Sequence, residues 1–191
     1  MLDRLGSATR TLLIANAAIF VWQMLNPSAL VDFALWPLGY GFAPWQLLTY
    51  AFLHGSVAHI AFNMVGLLSF GSELERYWGA RRLLHLYFAS VLAAALAQMA
   101  VTSATGELAP TVGASGGIFG LLLGFAVMFP KRKVVPLIPP IPMPAWLFAA
   151  IFGALELLLG VTGTARGIAH FAHLGGMLGA ALMLLRWRRA A

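Results

Sequence analysis

A hydroxyl stands among residues with almost no side chain in the run Gly113-Ala114-Ser115-Gly116-Gly117-Ile118-Phe119-Gly120. A serine at a helix start ordinarily caps that helix. Three features point beyond a cap. Gly113 and Gly116 leave room for a substrate backbone to approach. A helix N-terminus offers unpaired amides and the positive end of a dipole, which suit a developing oxyanion. The third is the depth of the serine in the membrane. The chemistry implied is attack of Ser115 on a carbonyl carbon.

Such an attack needs a base, and Ala169-His170-Phe171-Ala172-His173-Leu174-Gly175-Gly176 offers two. A histidine inside an apolar helix is expensive and is a functional candidate by default. Ala172, Gly176 and Ala180 form one stripe of small residues, and Gly116, Gly120 and Gly124 form another. Small residues four apart let helices approach closely. If the stripes face each other, His173 reaches Ser115 and serves as general base, then general acid. His170 lies one turn nearer the outer surface and reads as structural or surface-facing. Phe119, one turn after Ser115, is available to pack on the imidazole.

His59 and Asn63 are four apart, so they share one helix face. They read either as polar glue between helices or as donors completing an oxyanion hole with the Ser115 amide. His54 precedes that helix and is expected to order the outer loop. His54, His59, His170 and His173 lack the HExxH spacing and its carboxylate, so no metal site and no cofactor are read. A third catalytic member would be an acid. Asp3, Asp32, Glu73, Glu75 and Glu107 fall in connections or on the basic side. Glu156 falls mid-membrane and has no assigned partner; it reads as part of a proton or ion path, or as neutral and hydrogen-bonded. A Ser115–His173 dyad is therefore the economical assignment.

The elements that must carry these groups follow from composition. Of 191 residues, 61% are hydrophobic and 9% charged. Soluble domains carry about 25% charged residues, so lipid is the solvent for much of this chain. Helices are expected at 10–26, 57–77, 82–102, 115–129, 144–162 and 168–187, in one domain over 1–191. The first apolar run, Thr11 to Leu25, holds Ala15-Asn16-Ala17 inside it rather than after it, so a retained helix is expected and not a cleaved leader. The chain has no cysteine, which excludes disulfides and thiol nucleophiles. Its net charge of +6 is scattered between apolar segments, which argues against nucleic acid as a partner.

The layout sorts the 12 basic residues by side. Arg4, Arg10, Arg76, Arg81, Arg82, Lys131, Arg132, Lys133, Arg186, Arg188 and Arg189 share one side, and Arg166 alone lies on the other. That asymmetry puts both termini in the cytoplasm. The fourth run is short: the 15 residues from Ser115 to Phe129 give about 22 Å of helix, against a hydrocarbon core of about 30 Å. Ending at Lys131-Arg132-Lys133, it must begin inside the membrane. The irregular backbone from Pro110 to Ala114 then has to line a cavity enclosed by protein.

Together these residues resemble the rhomboid intramembrane serine proteases of the minimal six-helix type, over nearly the whole chain. Trp45-Gln46, His54, His59, Asn63, the stretch Gly71 to Gly79 with Glu75 and Arg76, Gly113 to Gly116, and His173 to Gly176 occur in that family's order and spacing. The resemblance implies an all-α membrane protein, a six-transmembrane-helix bundle with a short central fourth helix. It makes Ser115 the nucleophile, His173 its base and His59 and Asn63 oxyanion donors, supported by Gly113, Gly116 and Phe119. It places Trp45 in a loop at the membrane interface and has Glu75 and Arg76 join the second and third helices. The fifth helix and the loop Gly163–Gly167 become a mobile gate and cap. Phe119 stands where some members have tyrosine, and Gln46 where some have arginine.

The implied reaction is hydrolysis of a peptide bond in or near the transmembrane segment of a single-span membrane protein, without metal or cofactor. The expected location is a prokaryotic cytoplasmic membrane, as a multi-pass protein in contact with lipid. The alternatives are a catalytically inactive relative that binds or escorts membrane proteins, and a transporter or channel. The latter leaves the glycine–serine motif unexplained and lacks the internal repeat transporters often carry.

Overall fold

The computed structural model describes residues 5–137, 139–164 and 167–189. Six helices form the bundle: α1 (Ser7–Leu25), α2 (Val57–Trp78), α3 (Ala80–Thr105), α4 (Ser115–Met128), α5 (Ala145–Thr162) and α6 (His170–Arg189). Four of them, α1, α2, α3 and α5, are long and apolar enough to cross a membrane. α4 is apolar but has only 14 residues, and α6 ends on Arg186, Arg188 and Arg189. A two-stranded hairpin, β1 (Lys133–Val134) and β2 (Met143–Pro144), joins α4 to α5. The bundle carries large apolar side chains outward, among them Ile14, Leu96, Leu158 and Leu182. Polar groups turn inward, as at Asn16, Ser90 and Gln98. This is the arrangement of a chain solvated by lipid.

Several boundaries differ from the sequence expectation, each for a local reason. α1 starts at Ser7 rather than 10, because the Glu75 carboxylate accepts the amides of Ala8 (2.8 Å) and Thr9 (2.8 Å). It thereby satisfies donors that every helix start leaves over. Glu75 thus joins the second helix to the first, and not to the third as the resemblance implied. Arg76 pairs with Glu73 on its own helix at 3.2 Å, and Glu73 also holds Arg132 of the α4–α5 connection. α3 begins directly after Gly79, whose φ of +80° turns the chain in one residue, and runs on to Gly106 in the left-handed region. Inside α2 the residues Leu67–Gly71 open into a π-helical turn.

In lipid, apolar surface gives no preference for helix against helix, so close backbone approach must supply the attraction. Gly176 of α6 lies where any Cβ would overlap the carbonyl of Gly116 on α4. A Cβ on Gly120 would overlap Ser90 of α3 and stand 3.0 Å from the Gly176 carbonyl. The expected stripes therefore do meet, at Gly116, Gly120 and Gly176. Gly124 departs from the pattern and faces Leu86 and Leu74. A second set, Gly175 and Gly179, seats α6 on Ala93, Ala94 and Ala97 of α3, the most extensive helix contact of the bundle. In contrast, α5 buries only Ala145, Phe148 and Ala149, all near its inner end.

Gly176→Val should therefore separate α4 from α6. Overpacking generally costs about 1–3 kcal/mol, and the upper end is expected because the obstacle is backbone. Unfolding in mixed micelles by detergent titration measures it; a midpoint equal to wild type would contradict the packing.

Candidate active site

Ser115 is the first residue of α4, after Ala114 at the cap position, and its hydroxyl caps no amide of its own helix. It turns instead to α6, where Oγ lies 2.7 Å from Nε2 of His173. The ring of His173 stacks on Phe119 at 4.3 Å between centroids and 4° between planes. The plane of the imidazole is thus fixed by the helix that carries the serine.

The approach to Ser115 is held by the outer loop. Leu35 and Thr111 exchange two backbone hydrogen bonds, and the Gly113 amide donates to the Tyr50 carbonyl at 2.9 Å. Tyr50 in turn donates its hydroxyl to the Val91 carbonyl on α3 at 2.8 Å. The irregular backbone before α4 thus finds partners within protein, as nonhelical chain at membrane depth requires. Gln46 is buried and organises the same loop, accepting the Trp36 amide and donating to Asp32 and Gly41. Trp45 is exposed, with its indole N–H on the Asp32 carbonyl.

Ser115 and His173 open on a cavity of about 780 Å³, bordered also by His59, Asn63 and Gly113. Gly113 has φ +129°, and a Cβ there would stand 2.8 Å from the His59 ring and 3.6 Å from Ser115 Oγ. The glycine is what lets those two groups flank one point. Nδ1 of His59 accepts the Gly55 amide at 3.4 Å, which leaves Nε2 to carry the ring proton and donate. Asn63 Nδ2 is buried with no protein partner among the described residues. Two neutral donors therefore border the cavity that holds the serine. Gly116 differs from the expectation that it makes room for substrate: its missing side chain is the space filled by Ala94.

His54 does order the loop, but through its backbone, which exchanges two hydrogen bonds with the Gln23 side chain of α1 at 2.7 and 3.0 Å. Its ring packs edge-on to His59 at 5.1 Å. Burial, and secondarily the neighbouring His59, push its pKa down to about 4, so it is neutral in the physiological range.

One feature of the site escaped the sequence. Glu156 reaches in from α5, with Oε2 at 2.6 Å from Nδ1 of His170 and 3.0 Å from Nδ1 of His173. The first is an aligned hydrogen bond; the second is a close contact off the N–H direction. His170 is accordingly buried and paired, not surface-facing. The available signal was the coincidence of one membrane-embedded carboxylate with two histidines on the adjacent apolar segment.

The family description "Rhomboid domain" matches residues 41–189. The chain belongs to the rhomboid family. It is similar to RHOMBOID-like protein 12, mitochondrial, of Arabidopsis thaliana, at 34% identity over 93% of this chain and 56% of that protein. It is also similar to Rhomboid protein 1, mitochondrial, of Saccharomyces cerevisiae, at 31% over 87% of this chain and 49% of that one. The rhomboid protease GluP of Bacillus subtilis shares 40% identity over 78 residues, which are 41% of this chain and 14% of that one. The chain spans about half the length of the first two relatives. It is thus a multi-pass rhomboid membrane protein with an all-α bundle.

At the rhomboid site, Gly113→Ala should strain the backbone at its positive φ and press on His59. A destabilisation of about 1–3 kcal/mol is expected, read as a lower thermal midpoint in detergent. An unchanged midpoint would show that the segment before α4 adapts freely.

Proposed function

We propose that the chain is an intramembrane serine endopeptidase that cuts single-span membrane proteins in or near their transmembrane segments. The observation that carries this reading is the 2.7 Å contact of Ser115 Oγ with His173 Nε2, facing a cavity with idle donors. Nε2 takes the hydroxyl proton while Oγ attacks the scissile carbonyl, then passes it to the leaving amine; water reverses the sequence on the acyl-enzyme. The Ser115 amide, His59 Nε2–H and Asn63 Nδ2–H are suited to receive the oxyanion, which gains most where water is excluded. Phe119 supports the ring, and Gly113 admits the carbonyl. A helical substrate must unwind locally to present an extended bond, so helix-weakening and small residues near its outer end are the preferred sequence. The basic asymmetry supports a location in a prokaryotic cytoplasmic membrane, with both termini inside.

The test is cleavage of a single-span model substrate by purified protein in liposomes. Ser115→Ala and His173→Ala should abolish it, together with fluorophosphonate labelling of Ser115; cleavage surviving in both would remove the dyad. His59→Ala and Asn63→Ala should each slow turnover by about 10²–10³-fold, the usual effect of one oxyanion donor. Wild-type rates in both would take them out of the reaction.

A further inference from the structure

α5 carries a single acidic residue in an otherwise apolar helix, and its outer half, with no fully buried residue, meets α6 through Glu156 and through Gly160 against Phe171 and His170. A carboxylate at that depth is expensive unless it is paired, and such groups mark function. Its Oε2 sits between two imidazoles, 2.6 Å from His170 Nδ1 and 3.0 Å from His173 Nδ1. The opposite nitrogen of His173 is the one on Ser115. A single ring therefore lies between hydroxyl and carboxylate.

Two roles compete for this arrangement. A latch would tie the outer half of α5 to α6, and His170 alone would satisfy it. Contact with His173 adds something a latch does not use. For Nε2 to accept the serine proton, Nδ1 must hold the ring proton, and an acceptor beside Nδ1 favours that tautomer and steadies the imidazolium that forms. Phe119 fixes the plane of the ring but cannot choose its tautomer.

We propose that Glu156 is a positioning residue for His173, completing a Ser115–His173–Glu156 triad whose acid comes from α5 and is oriented by His170. This rests on the Ser115–His173 reading. The Nδ1–H of His173 stays on the ring throughout and Glu156 takes up no proton. The proton that moves travels from Ser115 Oγ to Nε2 as the O–C bond forms, and on to the departing nitrogen as the C–N bond breaks. Hydrogen bonds of this kind are often poorly aligned before substrate binds and tighten during reaction, so the off-line contact suits the resting state. A consequence is that the acid arrives with α5: the triad is whole only while this helix lies against α6.

The experiment compares wild type, Ser115→Ala, Glu156→Gln and Glu156→Ala in the liposome cleavage assay, with fluorophosphonate labelling in parallel. Glu156→Gln should lower kcat by about 10²-fold, the usual effect of a misplaced catalytic group, leave KM unchanged and slow labelling in proportion. A latch alone predicts the reverse, a loosened α5 with turnover equal to or above wild type, and that result overturns the triad. Nitrogen NMR of histidine-labelled protein, with His173 assigned by the loss of its signals in a folded His173→Ala, reads the tautomer on the wild type itself. The Nδ1–H tautomer is expected at His173, and the Nε2–H tautomer would overturn the proposal. A wild-type protein that neither cleaves nor labels removes the protease reading and the triad with it. Wild-type cleavage beside an unimpaired Glu156→Gln removes only the triad.

Discussion

The contact between the backbones of α4 and α6 sets the scale for everything at the site. Gly176 rests against the carbonyl of Gly116, and Gly120 against Ser90 and the Gly176 carbonyl. Because lipid tails are as apolar as the helices, this closeness replaces the hydrophobic drive that would hold a soluble core. It also fixes a distance. Ser115 is one residue before Gly116 and His173 one turn before Gly176, so the helix crossing brings hydroxyl and imidazole to hydrogen-bond range. Packing and reaction geometry here are one constraint, and a methyl group at the crossing would disturb both.

Around that crossing the outer loop supplies what a short helix cannot. α4 begins inside the bundle, and the chain leading to it would leave amides unpaired in lipid. Leu35, Tyr50 and the buried Gln46 carry hydrogen bonds into or beneath that segment. The same loop delivers His54 and, one turn into α2, His59. The polar groups of the site are thus arranged by backbone contacts of a loop whose own side chains are largely aromatic and apolar.

How much of this was readable in the chain depends on whether a residue's neighbours announce themselves by period. The meeting of Ser115 with His173 was legible, because two stripes of small residues at a spacing of four declare which faces meet. The short fourth helix was legible from a run of apolar residues ending at Lys131-Arg132-Lys133. Glu156 was not, because α5 is apolar on every side and no period says how it is rotated about its axis. The second contact face of α6, through Gly175 and Gly179, was hidden for a related reason: its partners on α3 are alanines, which look the same on any face. The roles of Glu75 and Arg76 were misassigned because sequence order does not say which neighbouring helix lies under a side chain.

α1 is tied at its inner end to α2, by Glu75 on the amides of Ala8 and Thr9, and at its outer end to the loop just before α2, by Gln23 on the backbone of His54. Between these ties it offers lipid a largely apolar flank. Helices meet a bilayer of unequal thickness by tilting. With both ends pinned, α1 and α2 must lean together as one panel and cannot slide past each other. Bilayer thickness therefore reaches His59 and Asn63 as a small rotation of their helix together with the end of the loop, at His54, that leads into it.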